Sequence, residues 1–144
     1  MAQAFNKYQT FVTDMAAGTH VNCLNADTDT IYIALSNTAP NAATHTVLAN
    51  ASEIADGNGY TTESAGLDTA NAATTATGTI TVAGTDVVIT ASGGNIAQFR
   101  YVILYNGTPA GNPLIGWWDN GSAVDLADGQ SFTVDFGASM FTVS

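Results

Sequence analysis

Gln98-Phe-Arg-Tyr-Val-Ile-Leu-Tyr105 is the stretch on which the reading of this chain turns. Aromatic and β-branched side chains suit the pleated surface of a strand, and Asn106-Gly107 followed by Pro109 ends the run with residues that reverse the backbone. So long an apolar run predicts a central strand. Downstream, Pro113-Leu-Ile-Gly-Trp-Trp118 predicts another strand, closed by Asp119-Asn-Gly121. Gln130-Ser-Phe-Thr-Val-Asp-Phe136 puts Phe132, Val134 and Phe136 on one face, after a turn at Asp128-Gly129. Asp135 falls out of phase with that face, toward solvent or a partner. Ser139 to Val143 can add one more strand.

Upstream the same two-residue period recurs, with Ile31, Ile33 and Leu35 alternating with Tyr32 and Ala34. Asn37 to Thr46, which contains Pro40, reads as a loop. From Val47 to Ala76 the chain is rich in Ala, Asn, Thr and Gly, and its large anchors are few: Leu48, Ile54, Tyr60 and Leu67. Strand register is weakly specified there, so long loops and short edge strands are expected. Asp56-Gly57-Asn58-Gly59 is a strong turn signal, and Gly59 to Thr62 can leave it as a strand. Thr79-Ile-Thr-Val-Ala83 and Asp86-Val-Val-Ile-Thr-Ala91 predict a hairpin that reverses at Gly84-Thr85.

Near the N-terminus the period changes. Phe5, Tyr8, Phe11, Val12 and Met15 recur at spacings of three and four, which predicts a helix over residues 4–17 ended by Gly18. Its apolar stripe packs either on the chain's own sheet or on a partner. The whole reads as an all-β fold, an antiparallel β-sandwich or jelly-roll-like domain of about eight strands spanning residues 1–144, with one short N-terminal helix.

The 144 residues suffice for one continuous core. Charged residues make up only 10% of them, against roughly 25% in ordinary soluble domains. Thr, Ser, Asn, Ala and Gly must therefore cover the surface, as in a subunit of an assembly or in an extracellular β domain. Twelve acids against Lys7 and Arg100 give a net charge of −10, which disfavours nucleic acid and anionic membranes as partners. No apolar run is long enough to span a bilayer, and no secretory signal is visible, which implies synthesis in a cytoplasm. Cys23 is the lone cysteine and reads as a buried structural thiol.

Residues that could carry chemistry are sparse. His20 and His45 are the only imidazoles and accompany no nucleophile motif or zinc-ligand spacing. Asp27 with Asp29, and Asp125 with Asp128, could hold a cation through oxygen ligands, yet turn formation explains both pairs. The sequons at Asn50, Asn106 and Asn120 are what a chain rich in Asn, Ser and Thr produces by chance. Of the adjacent Trp117 and Trp118, one ring should enter the core and the other face outward, where it could stack on a sugar or a protein partner. Neither an enzyme nor a cofactor is expected.

Several motifs together resemble a family of small structural proteins of tailed bacteriophages. They are Phe5-x-x-Tyr8-x-x-Phe11-Val12-x-x-Met15, Thr30-Ile-Tyr-Ile-Ala-Leu-Ser-Asn-Thr-Ala-Pro40, Ser52-Glu-Ile-x-x-Gly-Asn-Gly-Tyr60, Phe99-Arg-Tyr-x-x-Leu-Tyr-Asn106 and Pro113-Leu-Ile-Gly-Trp-Trp-Asp119. The resemblance implies a capsid cement or decoration protein: a β-sandwich on the outer head surface of the virion, bound to the major capsid protein, often as a homotrimer. It implies no catalytic, cofactor or metal residues. Phe5, Tyr8, Phe11 and Trp118 are the candidate partner contacts. A tail or fibre component and a carbohydrate-binding module are the alternatives.

Overall fold

A computed structural model describes residues 3–20, 29–63, 69 and 72–144. Cys23, Asp27 and Leu67 lie outside the described residues. In chain order the elements are β1 (Asn6–Lys7), α1 (Gln9–Ala17), β2 (Ile31–Ser36), a short 3-10 helix (Leu48–Ala51), β3 (Ala72–Ala76), β4 (Thr79–Ala83), β5 (Val87–Thr90), β6 (Ile96–Asn106), β7 (Leu114–Leu126), β8 (Ser131–Val134) and β9 (Phe141–Val143). All strand pairs are antiparallel. They form a four-stranded sheet in the order β1-β7-β6-β2, a three-stranded sheet β3-β4-β9 and a two-stranded sheet β5-β8. The chain is thus all-β and sandwich-like, with one short helix near its N-terminus.

The expected central strand is β6, which lies between β7 and β2 with both faces covered. Odd and even side chains of this sheet enter two separate clusters. On one face Ile31, Ile33, Leu35, Val102 and Leu104 pack with Val82, Val87, Ile89, Val134 and Phe141 of the two smaller sheets. On the other, Ala34, Ile103, Tyr105 and Leu114 pack under Tyr8, Leu48 and Ala51. A register slip sharpens the arrangement: Tyr105 opposes Leu114 while Leu104 opposes Gly116, so Ile115 is the extra residue of a bulge and joins the larger core.

The helix is shorter than its periodicity predicts. Residues 4–8 are extended, Asn6 and Lys7 pair with Trp117 and Gly116, and the helix begins only after Tyr8, whose φ −71° and ψ 146° are those of a strand. A spacing of three puts two residues on one side of a helix but on opposite faces of a strand. Phe5 accordingly packs with the larger core and Tyr8 lies in the smaller cluster. Phe11 is buried and Met15 packs beside it, whereas Val12 is 54% exposed. Gly18, at φ 76°, ends the helix as expected, its N–H bonding to the Met15 carbonyl.

The hairpin predicted across Gly84-Thr85 does not form. β4 pairs with β3 and β9 whereas β5 pairs with β8, so residues 84–86 carry the chain from one sheet to another. Each residue of that link has a contact elsewhere: the Met140 side chain occupies the space a Cβ on Gly84 would need, the Thr85 N–H bonds to Thr69, and the Asp86 carboxylate accepts from the Phe136 N–H at 2.9 Å. The real hairpin is β3–β4. Its loop is Thr77-Gly78, at φ 49° and 79°, the two positive angles of a two-residue turn.

Asp119-Asn-Gly121 does not end its strand either. The Asp119 carboxylate accepts the Gly121 N–H at 2.8 Å, which kinks β7 locally, and pairing resumes when Val124 meets Phe99. The turn over residues 56–59 is present, with reciprocal backbone bonds between Gly57 and Tyr60, but Gly59 to Thr62 forms only that isolated bridge and no strand. β3 is the short edge strand expected somewhere between Val47 and Ala76.

Candidate interaction surface

The four expected partner contacts point inward. Tyr8 is 0% exposed, Phe11 2% and Trp118 5%. Phe5 is partly buried and sits between Trp118 and Phe141, with ring centroids 5.2 and 5.3 Å away. Gly116 makes that seat possible, since a Cβ there would clash with the edge of the Phe5 ring. The apolar stripe near the N-terminus therefore covers the chain's own sheet, and aromatic bulk alone could not distinguish that outcome from a partner contact.

Trp117, not Trp118, is the outward ring. The bulge at Ile115 fixes this phase: Trp118 pairs with Val102 on the core side, and Trp117 with Ile103 on the other. Trp117 rests on Tyr8 at 4.6 Å and shares its half-exposed face with Tyr32 and Tyr101. Beside them Arg100 grips Asp119 through two hydrogen bonds, 2.7 and 2.9 Å long, and its guanidinium lies 5.4 Å from the Tyr101 ring centre. This pairing holds the Asp119 carboxyl below the usual aspartate range. The result is an aromatic patch with one fixed ion pair at its rim.

Three further acids accept hydrogen bonds within the fold. Asp125 accepts from Gln98, Asp128 from the Gly93 N–H and Asp56 from the Thr62 N–H. Among the described residues, no group of three or more His, Cys, Asp and Glu side chains is placed to hold a metal ion. Asp29 is buried and accepts from Asn106 at 2.8 Å; the same amide lies 3.2 Å from His20 Nδ1. Burial pushes the His20 pKa down, while Asp14 and Asp29 oppose the shift. His45 stacks on Tyr8, and Asn50, one of the sequon asparagines, accepts the N–H groups of Thr46 and Val47 in a turn. Among the described residues, no helix is long and apolar enough to cross a membrane.

Two further features face outward. Between α1 and β9 lies a groove of about 220 Å³ lined by Lys7, Phe11, Val12, Met15, Thr142 and Val143. The second is the outer face of the β3-β4-β9 sheet, where Thr74 lies opposite Thr81 and Thr81 opposite Thr142, with Ala72 opposite Ala83 on the same face. No charged residue occurs anywhere from Thr69 to Thr85.

The sheet edges are treated unequally. β2 has its free edge occupied: Leu35 donates to the Tyr60 hydroxyl at 2.9 Å, Ile54 donates to the Leu35 carbonyl, and Thr69 donates to Ile31. Tyr60 in turn donates to Glu53 at 2.5 Å. β5 is flanked by the 56–59 turn, through the bond from Ser92 N–H to the Asn58 carbonyl. Among the described residues, β3 has backbone bonds to β4 and to nothing else.

No known protein family, curated protein or solved structure matches the chain.

Proposed function

We propose that the protein is a structural subunit that works by packing against other protein subunits, and that its setting is the outer shell of a tailed phage, as a capsid cement. The observation that carries the reading is the charge-free Ala/Thr face of the β3-β4-β9 sheet on a chain of net charge −10. Hydroxyls and methyls lose little when a neighbour displaces their water, whereas ionic groups lose much. Binding that occurs only on an assembled lattice stabilises that lattice, and many weak copies act together. The major capsid protein is the partner this role requires.

Cryo-electron microscopy of particles carrying the protein tests the reading. Density for the chain over the head lattice is the expected result; density confined to the tail would move the role to a tail or fibre component, and absence from mature particles would end it. A second reading rests on the outward Trp117 beside Tyr101 and Arg100, an arrangement suited to stacking on a sugar ring. Glycan-array binding abolished by Trp117→Ala would favour that reading; an array without hits would dismiss it.

A further inference from the structure

The edge of β3, which no described residue covers, carries the inference, which deepens the assembly reading and rests on it for its biological setting. In a two-residue hairpin the pair that closes the loop, here Ala76 and Thr79, exchanges backbone hydrogen bonds, and alternate pairs do so from there on. Thr74 and Ala72 therefore turn their N–H and C=O groups toward β4. Ala73 and Thr75 turn theirs away from it, along an edge that no described residue covers. Unpaired strand edges bind other strands, and proteins blunt them with lysine, proline, bulges or covering loops. β2 and β5 have such covers. β3, Ala-Ala-Thr-Thr-Ala, has no charge, no proline and no bulge.

We propose that this edge pairs with β3 of a second copy of the same chain, antiparallel, about a twofold axis through Thr74. The register is self-complementary. Ala73 of one copy exchanges both backbone hydrogen bonds with Thr75 of the other, Thr75 does the same with Ala73, and the two Thr74 side chains face each other across the axis. The two three-stranded sheets then become one, β9-β4-β3-β3-β4-β9. The Thr74, Thr81 and Thr142 row continues across the seam into its symmetry mate, an unbroken ladder of threonines of the kind that pairs well across strands.

Charge identifies the occupant as a second copy. Symmetric pairing sets like residues near like, and opposed like charges destabilise a seam. A chain with twelve acids and two bases meets itself most readily where its acids are missing, and the run from Thr69 to Thr85, which contains the whole β3–β4 hairpin, has none. A basic foreign partner would instead be met by acids. A foreign extended peptide would rely on side-chain pockets for its specificity, and the exposed Ala72, Thr74 and Ala76 offer it no wall to fill against.

The test uses the purified full chain, so its outcome is independent of whether the protein binds a capsid. In a Cys23→Ser background, Thr74→Cys should give a disulfide-linked dimer under mild oxidation, while Thr79→Cys, on the far side of the hairpin, should not. Sedimentation of the unmodified chain up to about 1 mM should show dimer. Thr75→Pro removes an outward N–H, and Thr74→Lys sets two cations on the axis; each should weaken dimerisation at least tenfold. Thr74→Lys lies at an exposed position and should melt as the parent does, which separates lost pairing from lost folding. A strictly monomeric or trimeric mass overturns the proposal. So does crosslinking of Thr74→Cys no faster than of Thr79→Cys, or a dimer indifferent to Thr74→Lys.

Discussion

Replacing Trp118 and Trp117 by alanine, one at a time, tests the phase of the bulge that decides which ring faces out. Trp118 is 5% exposed and lies 5.2 Å from the Phe5 ring and 5.5 Å from that of Phe136. An aromatic side chain of its size buries roughly 150–250 Å², about 4–6 kcal/mol at about 25 cal/mol per Å² if wholly lost, and truncation of a buried tryptophan to alanine costs roughly 3–5 kcal/mol. Domains of this kind have about 5–15 kcal/mol of stability in all. Trp118→Ala should therefore remove about a fifth or more of it, lowering Tm by about 10–20 °C at about 3–4 °C per kcal/mol. Trp117 is half-exposed and loses mainly its contact with Tyr8, so Trp117→Ala should cost about 1–2 kcal/mol. Urea unfolding and calorimetry read both numbers. A Trp118→Ala variant destabilised by less than about 1 kcal/mol, or a Trp117→Ala variant the weaker of the two, would refute the assignment of faces.

Tyr60→Phe should cost about 1–3 kcal/mol, because it leaves the Leu35 N–H without its acceptor at a buried edge. Burial raises the Glu53 pKa and the Tyr60 hydrogen bond restrains that rise, so the variant should raise it further. A raised carboxyl favours the fold in its protonated form; its contribution is present below the ordinary glutamate value and is lost as pH rises through the raised one. An NMR titration in which Glu53 stays put or falls in the variant would count against this. Gly116→Ala should cost about 2–3 kcal/mol by displacing Phe5, and clearly less in a Phe5→Ala background, although the nearby Asn6 carbonyl keeps some of the cost. Additive effects in that double-mutant cycle would show that the ring and the glycine are not coupled. His20, lowered by burial, favours the fold when neutral: its contribution is present above the ordinary histidine value and disappears as pH falls through the lowered one. Urea titrations should show stability falling across the mildly acid range, and a His20→Gln variant should lose that part of the slope; equal slopes would exclude His20 as its source.

What the sequence made legible was whatever depended on one period at a time. β2 and β6 run alternating or continuously apolar, and both formed where expected, β6 as Ile96–Asn106. The errors came where two readings shared a spacing or where a turn signal was overruled at a distance. Phe5 and Tyr8 fit a helix stripe equally well as opposite faces of an extended segment, and only pairing of Asn6 with Trp117 selects the second. Gly84-Thr85 is good hairpin chemistry, but Thr85 and Asp86 found partners on Thr69 and Phe136, far along the chain. The choice between Trp117 and Trp118 hung on a bulge at Ile115, and no property of that residue type announces a bulge. Thr77-Gly78 did carry a readable signal, a Gly at the second loop position between two Ala/Thr runs, hidden by the low contrast of its flanks.

The same low contrast bears on function. A strand needs large side chains only if one of its faces must be driven into a core, and β3 is mostly exposed, with just Ala73 packed against the interior. Its Ala and Thr residues therefore contribute little to holding the domain together, and an edge strand with so little core to fill would be cheap to interrupt with a lysine or proline. The β2 edge, by contrast, is covered, with residues 53–54, Tyr60 and Thr69 laid along it. An edge strand that no described residue covers and that carries no charge, in a molecule with acids on both sides of that stretch at Asp68 and Asp86, is hard to account for by stability of the single chain. It is accounted for if the edge is one half of a joint: opposed acids would disfavour a seam between copies, and this strand brings none to it.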